Sequence, residues 1–222
     1  MASATAGFTE AIQDYAKAIY TLELRAEDAV STNALAERLA VSPASVTAML
    51  KRMSEAGLVE HEPYRGVRLT GTGKRLALEV IRHHRLLESY LADALGMPWD
   101  RVHAEAEVLE HYISEELEER IATALGDPAV DPHGDPIPSR ELEVSTEAGV
   151  TLAEMEPGDA GTFSRVSDSD SEMLRYLAER GIRPGADVAV TDRQPFGGPL
   201  FVEVGGKAHA IGGKLAERMV IT

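Results

Sequence analysis

From Phe8 to about Arg25 the apolar residues Ile12, Tyr15, Ala16, Ile19 and Leu22 recur at three- and four-residue spacing, which predicts an amphipathic helix. In STNALAERLA, polar start signals precede Leu35 and Leu39, a short second helix. VSPASVTAMLKRMSEAGLVEH follows, with Ser42 and Pro43 as an N-cap and first-turn pair. Val46, Leu50 and Met53 form its buried stripe, and Gly57 ends it. Two short helices about a tight turn, the second carrying small polar residues and then Lys51 and Arg52, make a helix-turn-helix pattern. LVEHEPYRGVRLT then alternates around a turn at Pro63 to Gly66, a two-stranded hairpin, and the combination is a winged helix.

Downstream, Leu76, Val80, Leu87 and Leu91 mark a long helix from about Thr72 to Leu95, and a second is expected over about Asp100 to Leu125. GDPAVDPHGDPIPSRELEVSTEAG is rich in Pro, Gly and Asp and reads as loop and linker. Beyond it, DVAVTD, LFVEVGG and RMVIT alternate as strands, with one helical stretch at SEMLRYLAERG. The expected fold is mainly α with α+β parts. Its divisions are a winged-helix domain at 1–72, a helical domain at 73–140, a linker at 141–149 and a small β module at 150–222.

Charge changes this picture in one place. The net −15 argues against a nucleic-acid partner, yet nine basic residues balance nine acidic ones between Met1 and Arg75. All the excess acid is downstream, and Ser42 to Arg75 carries a local +3. The chain has no cysteine, so a metal site must use nitrogen and oxygen ligands. No apolar run approaches the ~20 residues of a membrane span. MASATAGFTE lacks the charged and apolar regions of a signal peptide, so a cytoplasmic protein with no membrane partner is expected.

The candidate chemistry lies in HAEAEVLEHYISEE. On a helix, His103, Glu107, Glu110 and His111 fall at i, i+4, i+7 and i+8, a stripe that an amphipathic helix would normally make apolar. A Glu-rich helix is most often a solvated face. Here His84 and Glu88, again i and i+4, stand on the preceding helix, and two His/Glu pairs favour a metal. Asp14, in the mostly apolar first helix, gains meaning only if that helix packs against the stripe.

QDYAKAIYTL, VSPASVTAMLKRMSEAGLVEHEPYRGVRLTGTGKRLA, RHHRLLESYL, VHAEAEVLEHYIS and DPHGDPIP occur in this order. Together they resemble the diphtheria toxin repressor family of metal-dependent transcriptional regulators over essentially the whole chain. The resemblance implies a cytoplasmic homodimer with a winged helix, a helical dimerisation and metal-binding domain and a C-terminal module like an SH3 barrel. It implies a primary metal site at Asp14, Glu107, Glu110 and His111. An ancillary site would fall on His84, Glu88 and His103, with Asp168 from the C-terminal module. Iron sensors of the family have Met and Cys at the positions of Asp14 and Glu107, so oxygen donors there imply Mn2+, with Fe2+ and other divalent metals as alternatives. Two positions depart from the pattern. Lys17 stands where shorter manganese regulators carry a second acid, and Arg165 stands where iron sensors supply a ligand three residues before that of Asp168; Asp170 or Glu172 would serve in a shifted loop.

The resemblance implies repression of metal-uptake genes by binding a palindromic operator in double-stranded DNA. Ser42, Pro43, Ala44, Ser45, Thr47 and Ala48 would approach base edges, while Lys51, Arg52, Tyr64 and Arg65 would hold phosphates. The competing readings are an iron-responsive regulator, a winged-helix regulator of an organic ligand, and a metalloenzyme. Carboxylate-bridged enzymes use Glu-x-x-His on paired helices, but Val108 precedes His111 by three and Asp100 precedes His103 by three. No enzyme is expected.

Overall fold

The computed structural model describes residues 4–5, 7–24, 29–62, 65–145, 148–167 and 170–222. Tyr64 and Asp168 lie outside the described residues. The chain forms two compact units. The first comprises Met1–His84, Val108–Glu119 and Pro138–Glu143, and the second Arg85–Glu107, Arg120–Ile137 and Val144–Thr222. No helix among the described residues is long and apolar enough to cross a membrane.

The first unit opens with α1 (Glu10–Glu23), α2 (Thr32–Arg38) and α3 (Pro43–Glu55), followed by the antiparallel hairpin β1 (Val59–Glu62) and β2 (Gly66–Leu69). Side-chain hydroxyls cap two of these helices: Ser31 accepts from the Ala34 amide and Ser42 from the Ser45 amide, both at 3.1 Å. The apolar stripe of α3 is fully buried, with Val46, Leu50 and Met53 at 0% exposure. Fully burying one such side chain contributes about 1.5–3 kcal/mol. Val30 forms an isolated bridge with Val67, which brings its carbonyl so close to Gly66 that a Cβ there would lie 2.8 Å from it. With φ at +97°, Gly66 is the residue type that this turn requires.

Helix α4 (Gly71–Asp93) begins in the first unit and ends in the second. The expected single helix from Asp100 to Leu125 is instead two, α5 (Val102–Leu109) and α6 (Glu115–Ala124). The interruption has one tertiary and one local cause. The Glu110 carbonyl accepts from His83 Nδ1 at 3.1 Å, and Ser114 starts a new helix by accepting from the Leu117 amide at 3.3 Å.

In the second unit a six-stranded antiparallel sheet runs in the order β3, β8, β4, β5, β6, β7. Its strands are β3 (Val150–Thr151), β4 (Ala160–Val166), β5 (Asp187–Arg193), β6 (Leu200–Val204), β7 (Lys207–Ile211) and β8 (Met219–Ile221), with α7 (Ser171–Glu179) and the short α8 (Gly213–Ala216) between them. Phe163, Leu152, Leu174, Leu177, Ile182 and Val202, all at 0% exposure, centre its core, which also takes in Trp99.

Candidate metal centre

Three of the residues expected at the primary site meet in the first unit. Asp14 comes from α1, and Glu110 and His111 from the break after α5. His111 Nε2 lies 3.1 Å from Asp14 Oδ1 and 3.7 Å from Glu110 Oε1. The other ring nitrogen, Nδ1, donates to Gln13 Oε1 at 2.8 Å, while the Gln13 amide nitrogen donates to the Phe8 carbonyl at 3.1 Å. That second bond fixes which end of the buried Gln13 amide faces the imidazole. Nδ1 therefore carries a proton and Nε2 faces two carboxylates, an arrangement that a divalent cation would complete. Nitrogen and oxygen donors without sulfur suit a divalent metal of hard or borderline character.

Glu110 is the most constrained member, its side chain 0% exposed. Lys17 Nζ donates to its Oε1 at 2.6 Å and His84 Nδ1 to its Oε2 at 2.5 Å. Lys17 follows Asp14 by three residues, so the helical turn that presents the acid also presents an ammonium group. His84, expected at the ancillary site, thus meets a carboxylate of the primary set. Glu107 belongs to the second unit, where its Oε1 lies 3.8 Å from His103 Nε2.

Charged groups support Glu110 from behind. His83 is buried and donates from both nitrogens, to the Glu110 carbonyl and to Glu118 Oε2 at 3.1 Å, which requires the imidazolium form. Burial alone would lower its pKa, but the hydrogen bond and charge of Glu118 outweigh that and raise it. Glu118 moves oppositely. Burial pushes it up, and His83 and Arg82 together hold it below the ordinary carboxylate value. Arg82 donates to Glu118 Oε1 at 2.5 Å and to the Pro138 carbonyl at 2.6 Å.

In the second unit His103 Nδ1 lies 3.2 Å from Glu88 Oε1, the Glu88 side chain being 0% exposed. His84 stands one turn before Glu88 on α4. Asp170 caps α7 by accepting from the Glu172 and Met173 amides at 3.1 and 3.2 Å, and Arg165 lies in β4, paired with Val220. Sequence reasoning missed Gln13, Asp131 and His133. Gln13 carried a usable signal, a polar residue beside Asp14 on a mostly apolar helix, and the structure leaves it only 4% exposed.

The reading head exposes the expected face. Ser42, Pro43, Ala44, Ser45, Thr47, Ala48, Lys51, Arg52 and Arg65 are all exposed, opposite the buried Val46 and Leu50. Thr47 Oγ1 donates to the Pro43 carbonyl at 3.0 Å. Lys51 and Glu55 stand 4.0 Å apart with side chains 78% and 66% exposed, too loosely to neutralise the lysine.

Family models match the chain in three consecutive stretches. The iron dependent repressor N-terminal DNA binding domain matches residues 7–67, the iron dependent repressor metal binding and dimerisation domain 70–139, and the FeoA domain 150–222. The iron-dependent repressor IdeR of Mycobacterium tuberculosis is 36% identical over 200 residues, 85% of this chain and 86% of the relative. The chain belongs to the iron-dependent repressor family. Members of this family are metal-dependent, DNA-binding transcriptional repressors and not enzymes. The diphtheria toxin repressor of Corynebacterium diphtheriae, another relative, is 33% identical over 195 residues, covering 81% of this chain and 83% of its own. Among solved structures, a manganese-dependent transcriptional repressor in complex with manganese matches with a TM-score of 0.88 at 42% identity, covering 95% of this chain and 99% of the other. The manganese regulator SloR matches at 0.75 with 31% identity, covering 95% and 97%.

Proposed function

We propose that this repressor responds to manganese, with Asp14, Glu107, Glu110 and His111 as its primary ligands and His84, Glu88, His103 and Asp168 as its ancillary set. The observation that carries the reading is the donor chemistry around His111 Nε2: two carboxylates approach it, and no sulfur occurs in the proposed set. Manganese-dependent relatives in the structural comparison support it. Iron-dependent relatives make Fe2+ the second reading.

A bound divalent cation supplies the charge that lets these carboxylates stand together. The chain's own residues do the rest. Asp14 ties α1 to Glu110 and His111, and Gln13 keeps the imidazole oriented. Because α1 leads into the helix-turn-helix, fixing α1 fixes the direction in which α3 faces DNA. In a homodimer each α3 must meet its half-site one helical turn or a multiple away from the other, so orientation decides whether both engage a palindromic operator. Exposed Val108, Leu109, Tyr112 and Leu117, at 62%, 41%, 71% and 49%, offer an apolar surface of the kind a homodimer buries. Repulsion among the primary carboxylates favours the inactive arrangement without metal. A shift from about 1% to 99% competent requires ~10⁴-fold preferential binding. Operator DNA, a cytoplasmic location, repression of metal-uptake genes and the divisions 1–72, 73–140, 141–149 and 150–222 complete the proposal.

The test is fluorescence anisotropy on a palindromic operator from a metal-transport promoter, at one fixed salt concentration because phosphate contacts are salt-dependent. Mn2+, anaerobic Fe2+ and Zn2+ are titrated against wild type and Asp14→Met. Activation of wild type by Mn2+, with the preference of the variant moved toward Fe2+, is expected. Equal activation of wild type by Fe2+ would favour the iron reading.

A further inference from the structure

Trp99 is the chain's one tryptophan and stands in the turn between α4 and α5, outside the β module at 150–222. Tryptophan is rarely buried completely, yet this side chain is 3% exposed and shares a core with Leu152, Phe163, Leu174 and Ile182 of the module. Two backbone bonds close the turn that presents it, from the Met97 amide to the Leu91 carbonyl at 2.9 Å and from the Arg101 amide to the Pro98 carbonyl at 2.8 Å. The indole enters the module from a fixed point on the helices.

Two arginines of the module meet this turn. Arg183 Cζ lies 4.6 Å from the centroid of the indole, and Arg175 of α7 donates from Nε to Asp100 Oδ2 at 3.3 Å, the Asp100 side chain being 9% exposed. The loop between α6 and β3 completes the contact. Its His133, 0% exposed, stacks on the indole with centroids 5.5 Å apart and donates from Nε2 to the Trp99 carbonyl at 2.8 Å. Asp131 Oδ1 accepts from the amides of His133 and Asp135 at 2.8 and 3.0 Å, which fixes the loop. The His133 carbonyl accepts in turn from the Val166 amide of β4 at 2.9 Å. Gly134, at φ +88°, lies so close to β4 that a Cβ would stand 1.9 Å from the Ser164 carbonyl oxygen, so only glycine fits.

We propose that Trp99 is the anchor that seats the β module on the α4–α5 turn, so that the module is a fixed extension of these helices with or without metal. Domains joined by a polar linker move relative to one another unless their interface is large and apolar. Here a residue of the helical part lies inside the apolar core of the module. The contacts are a buried ring, a cation over that ring, an ion pair and backbone hydrogen bonds, and none of Trp99, Asp100, Arg175 and Arg183 belongs to the proposed ligand set. Two consequences follow for the rest of the molecule. Val102 opens α5 three residues after Trp99, so the anchor also holds the start of the helix that carries His103 and Glu107. Arg175 holds α7, whose N-cap is Asp170, at a constant separation from the turn. Placing a segment in advance lowers the ordering cost of any contact it later makes. The anchor does not depend on which metal the repressor senses.

The test uses the full chain, in which the single indole reports its own surroundings. Wild type stripped of metal is expected to emit at the short wavelengths of a buried ring, to resist quenching by acrylamide, and to keep its emission maximum when Mn2+ or Zn2+ is added. Hydrogen exchange read by mass spectrometry then follows the Val166 amide, whose acceptor is the His133 carbonyl, against the Val190 and Val202 amides inside the sheet. Trp99→Ala should speed exchange at Val166 about 100-fold or more, as deletion of a large buried side chain does to the contact it holds, with Val190 and Val202 unchanged and a larger radius of gyration by small-angle scattering. Arg183→Ala keeps the indole and serves where Trp99→Ala fails to fold. It should speed exchange at Val166 about 2- to 5-fold. Equal acceleration of all three amides would make Trp99 an ordinary core residue of the module and overturn the anchor. Wild-type emission that is red-shifted and freely quenched until metal is added would overturn it as well. Operator binding measured in parallel keeps the two proposals apart, because failure of Mn2+ to activate it would strike the manganese reading and leave these readouts as they are.

Discussion

Replacing Lys17 by Met tests how the primary site is balanced. Lys17 Nζ donates to Glu110 Oε1 at 2.6 Å, and the two side chains are 16% and 0% exposed. A charge-assisted bond of this kind contributes about 1.5–3 kcal/mol. On the proposed mechanism Glu110 turns that oxygen to a metal, so part of the bond energy opposes metal binding. Removing the lysine is then expected to tighten Mn2+ about 10- to 100-fold, at about 1.4 kcal/mol per factor of ten. The metal-free protein should lose a similar amount of stability. Isothermal titration with a competing chelator gives the affinity, and urea unfolding without metal gives the stability. An unchanged or weaker Mn2+ affinity, alongside the expected stability loss, would show that the lysine remains bonded to Glu110 in the metal-bound state and would refute this balance.

Three further outcomes follow from the same geometry. Gln13→Leu leaves His111 Nδ1 without its acceptor and should weaken Mn2+ about 10- to 100-fold; titration calorimetry showing wild-type affinity would contradict the orienting role. Glu118→Ala leaves Arg82 and His83 as buried cations without their carboxylate and should cost about 3–5 kcal/mol by chemical unfolding. The pH dependence of that cost has a definite sign. His83 is raised from an ordinary 6.5 and Glu118 lowered from 4.5, so the pair contributes fully between these values. The contribution is lost as pH rises through the folded His83 value or falls through the folded Glu118 value, so a difference from wild type that grows on leaving this window would contradict it. Lys51→Ala and Arg52→Ala should each weaken DNA binding uniformly across sequences and reduce the salt slope by about 1, read from anisotropy at several salt concentrations. An unchanged slope would remove these residues from the phosphate contacts.

Much of the first unit was legible because its helices carry a full apolar stripe. Val46, Leu50 and Met53 are spaced as a helix requires and are buried as that spacing predicts. The same logic found β5, β6 and β8. It missed β7, an edge strand in which only Ile211 is buried, and β4, whose register shifts between Phe163 and Arg165 and breaks the alternation. Continuity between α5 and α6 was overestimated because the period of the stripe persists through Glu110 and His111. What interrupts the helix is a tertiary bond from His83, with Ser114 as the local cue. Of the candidate ligands, Asp14 gained meaning only when α1 met His111, which a one-dimensional pattern does not contain. The burial of His133 was invisible for a related reason: Pro, Gly and Asp mark a turn whether it lies in solvent or against a sheet.

The most direct test of the central claim compares operator binding by wild type and His111→Ala, metal-free and at saturating Mn2+, by anisotropy at one salt concentration. Mn2+ should tighten wild-type binding by about 100-fold, the population shift of a two-state head from about 1% to 99% competent, and should leave His111→Ala near its metal-free affinity. Equal affinity of wild type with and without Mn2+ would contradict the manganese switch, and full activation of His111→Ala would move it away from this centre.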